Sequence, residues 1–195
     1  SFLALNYDIE FVDMAAEWIA SAKFIDFNFR FEELVLEQKD ESVLIGILKA
    51  AGINIDGFRV EGGEEDFENR RGWGRHVGNG KPYELRLSKE SAGTRKMMSM
   101  AISLDNALKK GGLLVIDELD SKLHPKLLRF IVALFHDPAV NKSGAQLLFT
   151  SQDVSIMRND VLRRDEIWFA ARDEDEASSL WSLSDIHEPN GNLVS

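Results

Sequence analysis

At 195 residues, with 44% apolar and 29% charged residues, the chain has the length and composition of one soluble domain with a sizeable core. It contains no cysteine, which excludes a disulfide framework and any cysteine-ligated metal and points to a reducing, cytoplasmic compartment. No apolar run approaches the ~20 residues of a membrane span, no secretory signal opens the chain, and a net charge of −10 argues against a broadly basic nucleic-acid surface while leaving room for a local patch. The sequence starts at Ser1 and enters helix-like sequence almost at once, so we expect the protein to begin upstream.

In chain order, Ile9, Val12, Ala16, Ile19 and Ala20 form the stripe of an amphipathic helix over 7–22. A strand over 24–31 follows, with Phe27, Phe29 and Phe31 at alternate positions as one core face. A second helix is expected over 40–51, with Asp40 or Ser42 as N-cap and Gly52 just past its end, then a strand over 53–60. The glycine-rich, charged stretch 61–80 reads as a mobile connector. Residues 1–80 thus read as an insertion-type region of helices and strands with that connector, and 81–195 as the lobe that carries the motifs. Within the connector, Arg70, Arg71, Arg75 and His76 flank Trp73. Such a cluster could touch phosphates or stack a base; the plainer reading is a solvated loop balanced by Glu61, Glu64, Glu65, Asp66 and Glu68. Gly78-Asn79-Gly80-Lys81 looks like the end of a phosphate-binding loop. Arg75 stands where its first glycine should be, Pro82 follows the lysine, and a strand rather than a helix comes next, so the chain holds no Walker A motif.

The strand at 82–87 leads into Glu90-Ser91-Ala92-Gly93-Thr94 and a helix bearing Met97, Ala101, Leu104 and Leu108 on one face, stopped by Gly111. A Ser-small-Gly sequence at a helix start frees backbone N–H groups for a phosphate, although it also serves as a simple cap. Leu113-Leu114-Val115-Ile116 is a short buried strand ending in Asp117 and Glu118. An Asp there can hold Mg²⁺ and the following Glu can polarise a water, or both are merely solvated acids at a strand end. Pro125 opens a helix over 126–136, and Gln146-Leu147-Leu148-Phe149 is a further strand running into Thr150-Ser151-Gln152-Asp153. The order is strand, phosphate-type helix start, strand with acids, crossover helix, strand with polar residues. It describes half of a parallel α/β sheet with its polar ends on one edge.

On these residues the segment from about Lys81 to Asp185 resembles the C-terminal half of an ABC-type ATPase head. It is similar to the AAA-family ATPases of the phage abortive-infection group, related to structural-maintenance-of-chromosomes and overcoming-lysogenisation-defect heads. The resemblance implies an α/β fold: the C-terminal lobe of a P-loop NTPase, a parallel sheet flanked by helices and ending in a β-hairpin. Glu90 to Thr94 resembles the signature motif, which implies that Ser91, Gly93 and Thr94 meet the γ-phosphate of a nucleotide held by a partner. Leu114 to Glu118 resembles Walker B, with Asp117 toward Mg²⁺ and Glu118 as catalytic base. Leu119 to Pro125, including Asp120, resembles the D-loop that crosses the dimer interface. Phe149 to Asp153 resembles the switch, with Gln152 where histidine is usual. The implied cofactors are ATP and Mg²⁺. The implied partners are a second copy across the nucleotide sandwich and an effector protein or nuclease, with nucleic acid unsupported by charge and no membrane.

Two rivals stand beside this reading. The motifs could serve dimerisation alone, in a non-enzymatic interaction module. Alternatively, Asp173 and Asp175, following the strand-like Ile167-Trp168-Phe169-Ala170, could hold Mg²⁺ for a nuclease; a hairpin turn leading to 178–183 is the simpler account of those acids. His76, His124, His136 and His187 show no metal-ligand spacing.

Overall fold

The computed structural model describes residues 10–25, 41–62 and 70–186. It divides into two units, one ending at Gln152 and one beginning at Asp153. The first unit is built on a parallel sheet. Helix α1 (Glu10–Ala20) leads into the short β1 (Lys23–Phe24), which pairs with β5 (Leu113–Ile116), itself paired with β6 (Gln146–Phe149), in the order β1-β5-β6. The aromatic positions 27, 29 and 31 of the expected strand lie outside the described residues.

Strand β5 is central because its sequence suits burial on both sides, and Leu114 and Ile116 are wholly buried. Gly111 and Gly112, with φ of 78° and 95°, turn the chain into it from helix α3 (Ala92–Lys110). A Cβ at Gly111 would lie 2.6 Å from the Ser143 carbonyl oxygen, so only glycine fits this stop. The crossover from β5 to β6 runs through helix α4 (Pro125–His136), with proline at its first turn. Met97, Met100, Ala101 and Leu104 of α3 and Leu128 and Ile131 of α4 are fully buried and form the core with β5. The result is a three-stranded parallel sheet flanked by helices, an architecture compatible with a P-loop NTPase fold.

A second, antiparallel sheet precedes the motifs. Its strands are β2 (Gly57–Glu61), β3 (Arg71–Gly78) and β4 (Lys81–Arg86). This corrects the expected mobile connector: 71–78 is a strand, and 63–69 lie outside the described residues. The composition misleads because the glycines have a packing role. Arg71, Trp73, Arg75 and Val77 alternate with Gly72, Gly74, His76 and Gly78, and a Cβ at Gly74 would lie 3.4 Å from both Leu87 and His76. The glycine-bearing face therefore approaches the chain just before α3. The Gly78-Asn79-Gly80-Lys81 stretch is the two-residue turn joining β3 to β4, with φ of 50° at Asn79 and 73° at Gly80, the type I′ pattern that Asn-Gly favours.

Helix α2 (Ser42–Ala50) buries Leu44 and Leu48. Ser42, one of the two expected caps, is already helical, and Asp40, the other, lies outside the described residues. The cap position falls to Glu41, which makes no side-chain cap bond. Its Oε2 instead accepts the Phe58 N–H at 3.0 Å, fastening the helix start to β2.

In the second unit, β7 (Trp168–Arg172) and β8 (Ser178–Ser182) pair antiparallel, with Phe169 stacked on Trp181. Between them Asp173 Oδ1 accepts the N–H groups of Asp175 at 3.0 Å and Ala177 at 2.8 Å. No helix among the described residues is long and apolar enough to cross a membrane.

Candidate functional site

The site begins where β4 hands over to α3. A single turn of 3₁₀ helix, Leu87–Lys89, buries Leu87 and delivers Glu90. The Glu90 carboxylate pairs with His76 Nε2 at 2.7 Å, and both side chains are largely shielded from solvent. His76 in turn stacks on Tyr83 with ring centroids 5.2 Å apart. The approach to the helix is thus pinned to the antiparallel sheet.

Ser91 then caps α3: its hydroxyl accepts the Thr94 N–H at 3.0 Å and lies 2.8 Å from the Thr94 hydroxyl. The first-turn N–H groups of this 19-residue helix and the helix dipole favour an anion at its exposed start. Gly93 is close-packed. A Cβ there would sit 3.0 Å from the Lys122 carbonyl oxygen, so glycine lets the helix approach the turn that follows β5.

That turn has two non-glycine residues in the left-handed region, Glu118 with φ 46° and Lys122 with φ 62°. Such residues cost of order 1 kcal/mol or more each and persist where their surroundings over-determine them. Three sets of bonds do so here. Thr150 is the first: its hydroxyl donates to Asp117 Oδ1 and accepts the Glu118 N–H at 2.8 Å, while its carbonyl accepts the Leu119 N–H at 3.0 Å. The second lies within the turn, where Ser121 N–H donates to the Glu118 carbonyl at 3.0 Å and Leu123 N–H to the Asp120 carbonyl at 2.9 Å. The third is Lys96 of α3, whose Nζ donates to the carbonyls of Glu118 at 2.6 Å and Ser121 at 3.0 Å.

Asp120 Oδ1 accepts the Gln152 N–H at 3.3 Å, joining the end of β6 to the same turn. His124 closes the segment as N-cap of α4, its Nδ1 accepting the Lys126 N–H at 3.2 Å. Asp117, Glu118, Ser91 and Gln152 are exposed; Gly93, Thr94 and Asp120 are half-buried. All seven residues singled out in the sequence therefore lie on the carboxyl edge of the parallel sheet or at the helix start packed against it. This is the place where ligands bind in open α/β sheets.

Sequence reasoning missed Lys96 and Thr150. Lys96 is only 8% exposed. Burial pulls its pKa below the ordinary lysine value, against the opposing pull of the Asp120 and Glu118 charges. A signal for it exists: Lys96 falls in register with Met100, Leu104 and Leu108 at helical spacing, a cation on the apolar stripe. Thr150 has no comparable signal, because its role depends on the pairing of β5 with β6.

Among the described residues, no three His, Cys, Asp or Glu side chains gather as a metal site. The residues present nonetheless fit Mg²⁺ bound beside a phosphate. That ion takes one or two carboxylates and fills its remaining positions with water and phosphate oxygens. Asp117 offers an exposed carboxylate held in place through one oxygen by Thr150. In the second unit, the Asp173 carboxylate is engaged by the backbone of its own turn, and the nuclease reading gains no support.

No curated protein matches the chain. A family model does, over residues 2–158: the AAA domain described as putative AbiEii toxin, type IV TA system. That match spans well over half of the chain, and with the parallel sheet and the polar edge already in view, the protein belongs to this AAA-domain family of the abortive-infection group.

Proposed function

We propose that the chain is the signature- and Walker B-bearing half of an ATP-hydrolysing head that works as a dimer, with ATP held between two copies and the phosphate-binding loop supplied from outside residues 1–195. Membership of an AAA family implies nucleotide binding, generally with Mg²⁺. The observation that supports the finer reading is the packing of the Ser91–Gly93 helix start against the turn that carries Asp117 and Glu118, through Gly93 and Lys96. One structural unit thereby presents both an anion-binding helix end and a pair of acids.

In this reading Ser91 and the first N–H groups of α3 meet the γ-phosphate of the nucleotide bound by the partner. Asp117, oriented by Thr150, holds Mg²⁺, which neutralises phosphate charge when bound. Glu118 takes a proton from the attacking water. Gln152 donates a neutral amide hydrogen bond to the phosphate, where a histidine could become cationic. Asp120 lies on the face that crosses to the partner copy. The biological setting, suggested by the family, is a toxin–antitoxin or abortive-infection system with an effector or nuclease as further partner.

The test is turnover by the full protein. Glu118→Gln should retain Mg-ATP, stop hydrolysis and trap the dimer; Asp117→Asn should weaken Mg²⁺ and nucleotide together. Gln152→His should raise turnover by roughly 5–30 fold, the equivalent of about 1–2 kcal/mol of charge-assisted bonding. Residues 1–195 alone should bind ATP weakly and not hydrolyse it. Wild-type hydrolysis by both acid variants would overturn the assignment of Asp117 and Glu118, whereas no hydrolysis by the full wild-type protein would leave dimerisation as the function.

A further inference from the structure

Lys96 lies on the buried face of α3, 8% exposed, one helical turn beyond Gly93. Its ammonium group donates to two carbonyls that belong to a single turn, those of Glu118 and Ser121. The turn carries left-handed backbone at Glu118 and Lys122, the residues on either side of its centre. A turn of this kind has carbonyls converging on one point, and a cation there holds them against their mutual repulsion. Gly93 and Lys96 both bring α3 against the turn: Gly93 by close approach to the Lys122 carbonyl, Lys96 by charge.

Burial of a lysine carries a desolvation penalty that a methionine of the same length would avoid. The cation is therefore poorly explained as core packing, and well explained as a clamp on backbone geometry. We propose that Lys96 is a positioning residue that fixes the backbone at Glu118 to the Ser91–Gly93 helix start, so that the acid serving one nucleotide and the helix end serving the other move as one body. This rests on the dimeric ATPase reading above, in which those two groups face different nucleotides.

The test uses the full protein and two readouts, steady-state ATP turnover and amide hydrogen exchange. Lys96→Met should lower kcat at least tenfold while KM for ATP stays within about twofold, because the clamp acts on the base and not on the bulk of nucleotide binding. The Ser121 and Leu123 amides, which close the turn, should exchange at least tenfold faster in the same variant. Amides in the body of α3, residues 100–108, should keep their rates. Lys96→Arg, which keeps a cation able to span two carbonyls, should recover part of kcat. If Lys96→Met does not fold, Lys96→Gln, which keeps a donor without the charge, carries the same comparison.

Faster exchange in the turn with unchanged kcat would make Lys96 a stability residue only and overturn the proposal. So would a fall in kcat with the turn's exchange unchanged. Glu118→Gln run beside these variants separates the two claims. If it hydrolyses ATP normally, the assignment of Glu118 as base fails and with it the reading on which the clamp rests; if it is inactive while Lys96→Met matches wild type, the clamp alone fails.

Discussion

Two cations in the first unit make opposite use of the same charge. Lys96 is buried in the α3 stripe and donates to backbone carbonyls. Arg59, on β2, has a side chain 43% exposed and pairs with the carboxylates of Glu61 and Glu84, with Nε 3.1 Å from Glu84. Arg59 and Arg86, from the strands flanking β3, both lie over the Trp73 ring, at 5.2 and 5.1 Å. In a water-exposed site such pairs are screened and contribute little at neutral pH. In a buried site each bond to the charge constrains a specific backbone geometry, and losing it costs each carbonyl a donor. The region with fewer ion pairs is therefore the one whose geometry is more tightly specified. The arginine–tryptophan cluster, which from sequence could have stacked a base, has its ring already occupied by two guanidinium groups.

The largest break in this contrast should come from Gly93→Val. With the ideal Cβ already 3.0 Å from the Lys122 carbonyl, the added bulk must push α3 off the turn, at a cost of about 1–3 kcal/mol. Thermal unfolding should show Tm lower by several degrees, at roughly 2–4 °C per kcal/mol for a chain of this size, and a Tm equal to wild type would show that the contact is slack. The matching control is Gly46→Ala in α2, where a Cβ meets nothing within 4 Å. That substitution should raise stability by about 0.5–1 kcal/mol, since glycine in a helix interior is the poorer former.

Thr150→Val sharpens the comparison at smaller scale. It removes one hydroxyl that serves both Asp117 and the Glu118 N–H, and should cost about 1–2 kcal/mol in denaturant unfolding. In the full protein it should also raise the Mg²⁺ concentration needed for turnover, because Asp117 loses its orienting partner. Unchanged stability together with an unchanged Mg²⁺ requirement would remove Thr150 from the site.

Arg59→Met should give the smallest effect, present at neutral pH and vanishing in acid. Hydrogen bonding from Arg59 holds the Glu84 and Glu61 carboxyls below their ordinary value of 4.5. Their folded pKa values lie below the unfolded ones, so the stabilisation is complete above pH 4.5 and is lost as pH falls through the lowered values. The variant should be slightly less stable than wild type at pH 7 and should converge with it in acid, so that its decline below pH 4.5 is flatter. A variant whose acid limb superimposes on that of wild type would show that the pairs contribute nothing.

Much of the site was legible in the sequence because it rests on local rules. Gly111 and Gly112 turn α3 into β5, Ser91 caps α3 through Thr94, Pro125 opens α4, and the acids fall at a strand end; each depends on residues within one turn of one another. The Asn79–Gly80 turn carried an equally local signal, one that the charged, glycine-rich surroundings of 61–80 obscured. Strand β3 was hidden by the same composition, since Gly74 leaves room for Leu87 and Glu90, residues beyond the next strand.

By itself, then, the sequence determined the order of strands and helices from β4 to β6, the cap and stop of α3, the proline start of α4, and the placing of Asp117, Glu118 and Gln152 at strand ends, because backbone propensity and hydrophobic period act over a few residues. Only the tertiary structure decided that Lys96 reaches across to the Glu118 and Ser121 carbonyls, that Thr150 bridges Asp117 and the Glu118 amide, and that His76 anchors Glu90. These bonds join residues 14 to 33 positions apart. They exist because parallel pairing of β5 with β6 and the glycine-faced approach of β3 bring distant backbone into hydrogen-bonding range, which no local pattern encodes.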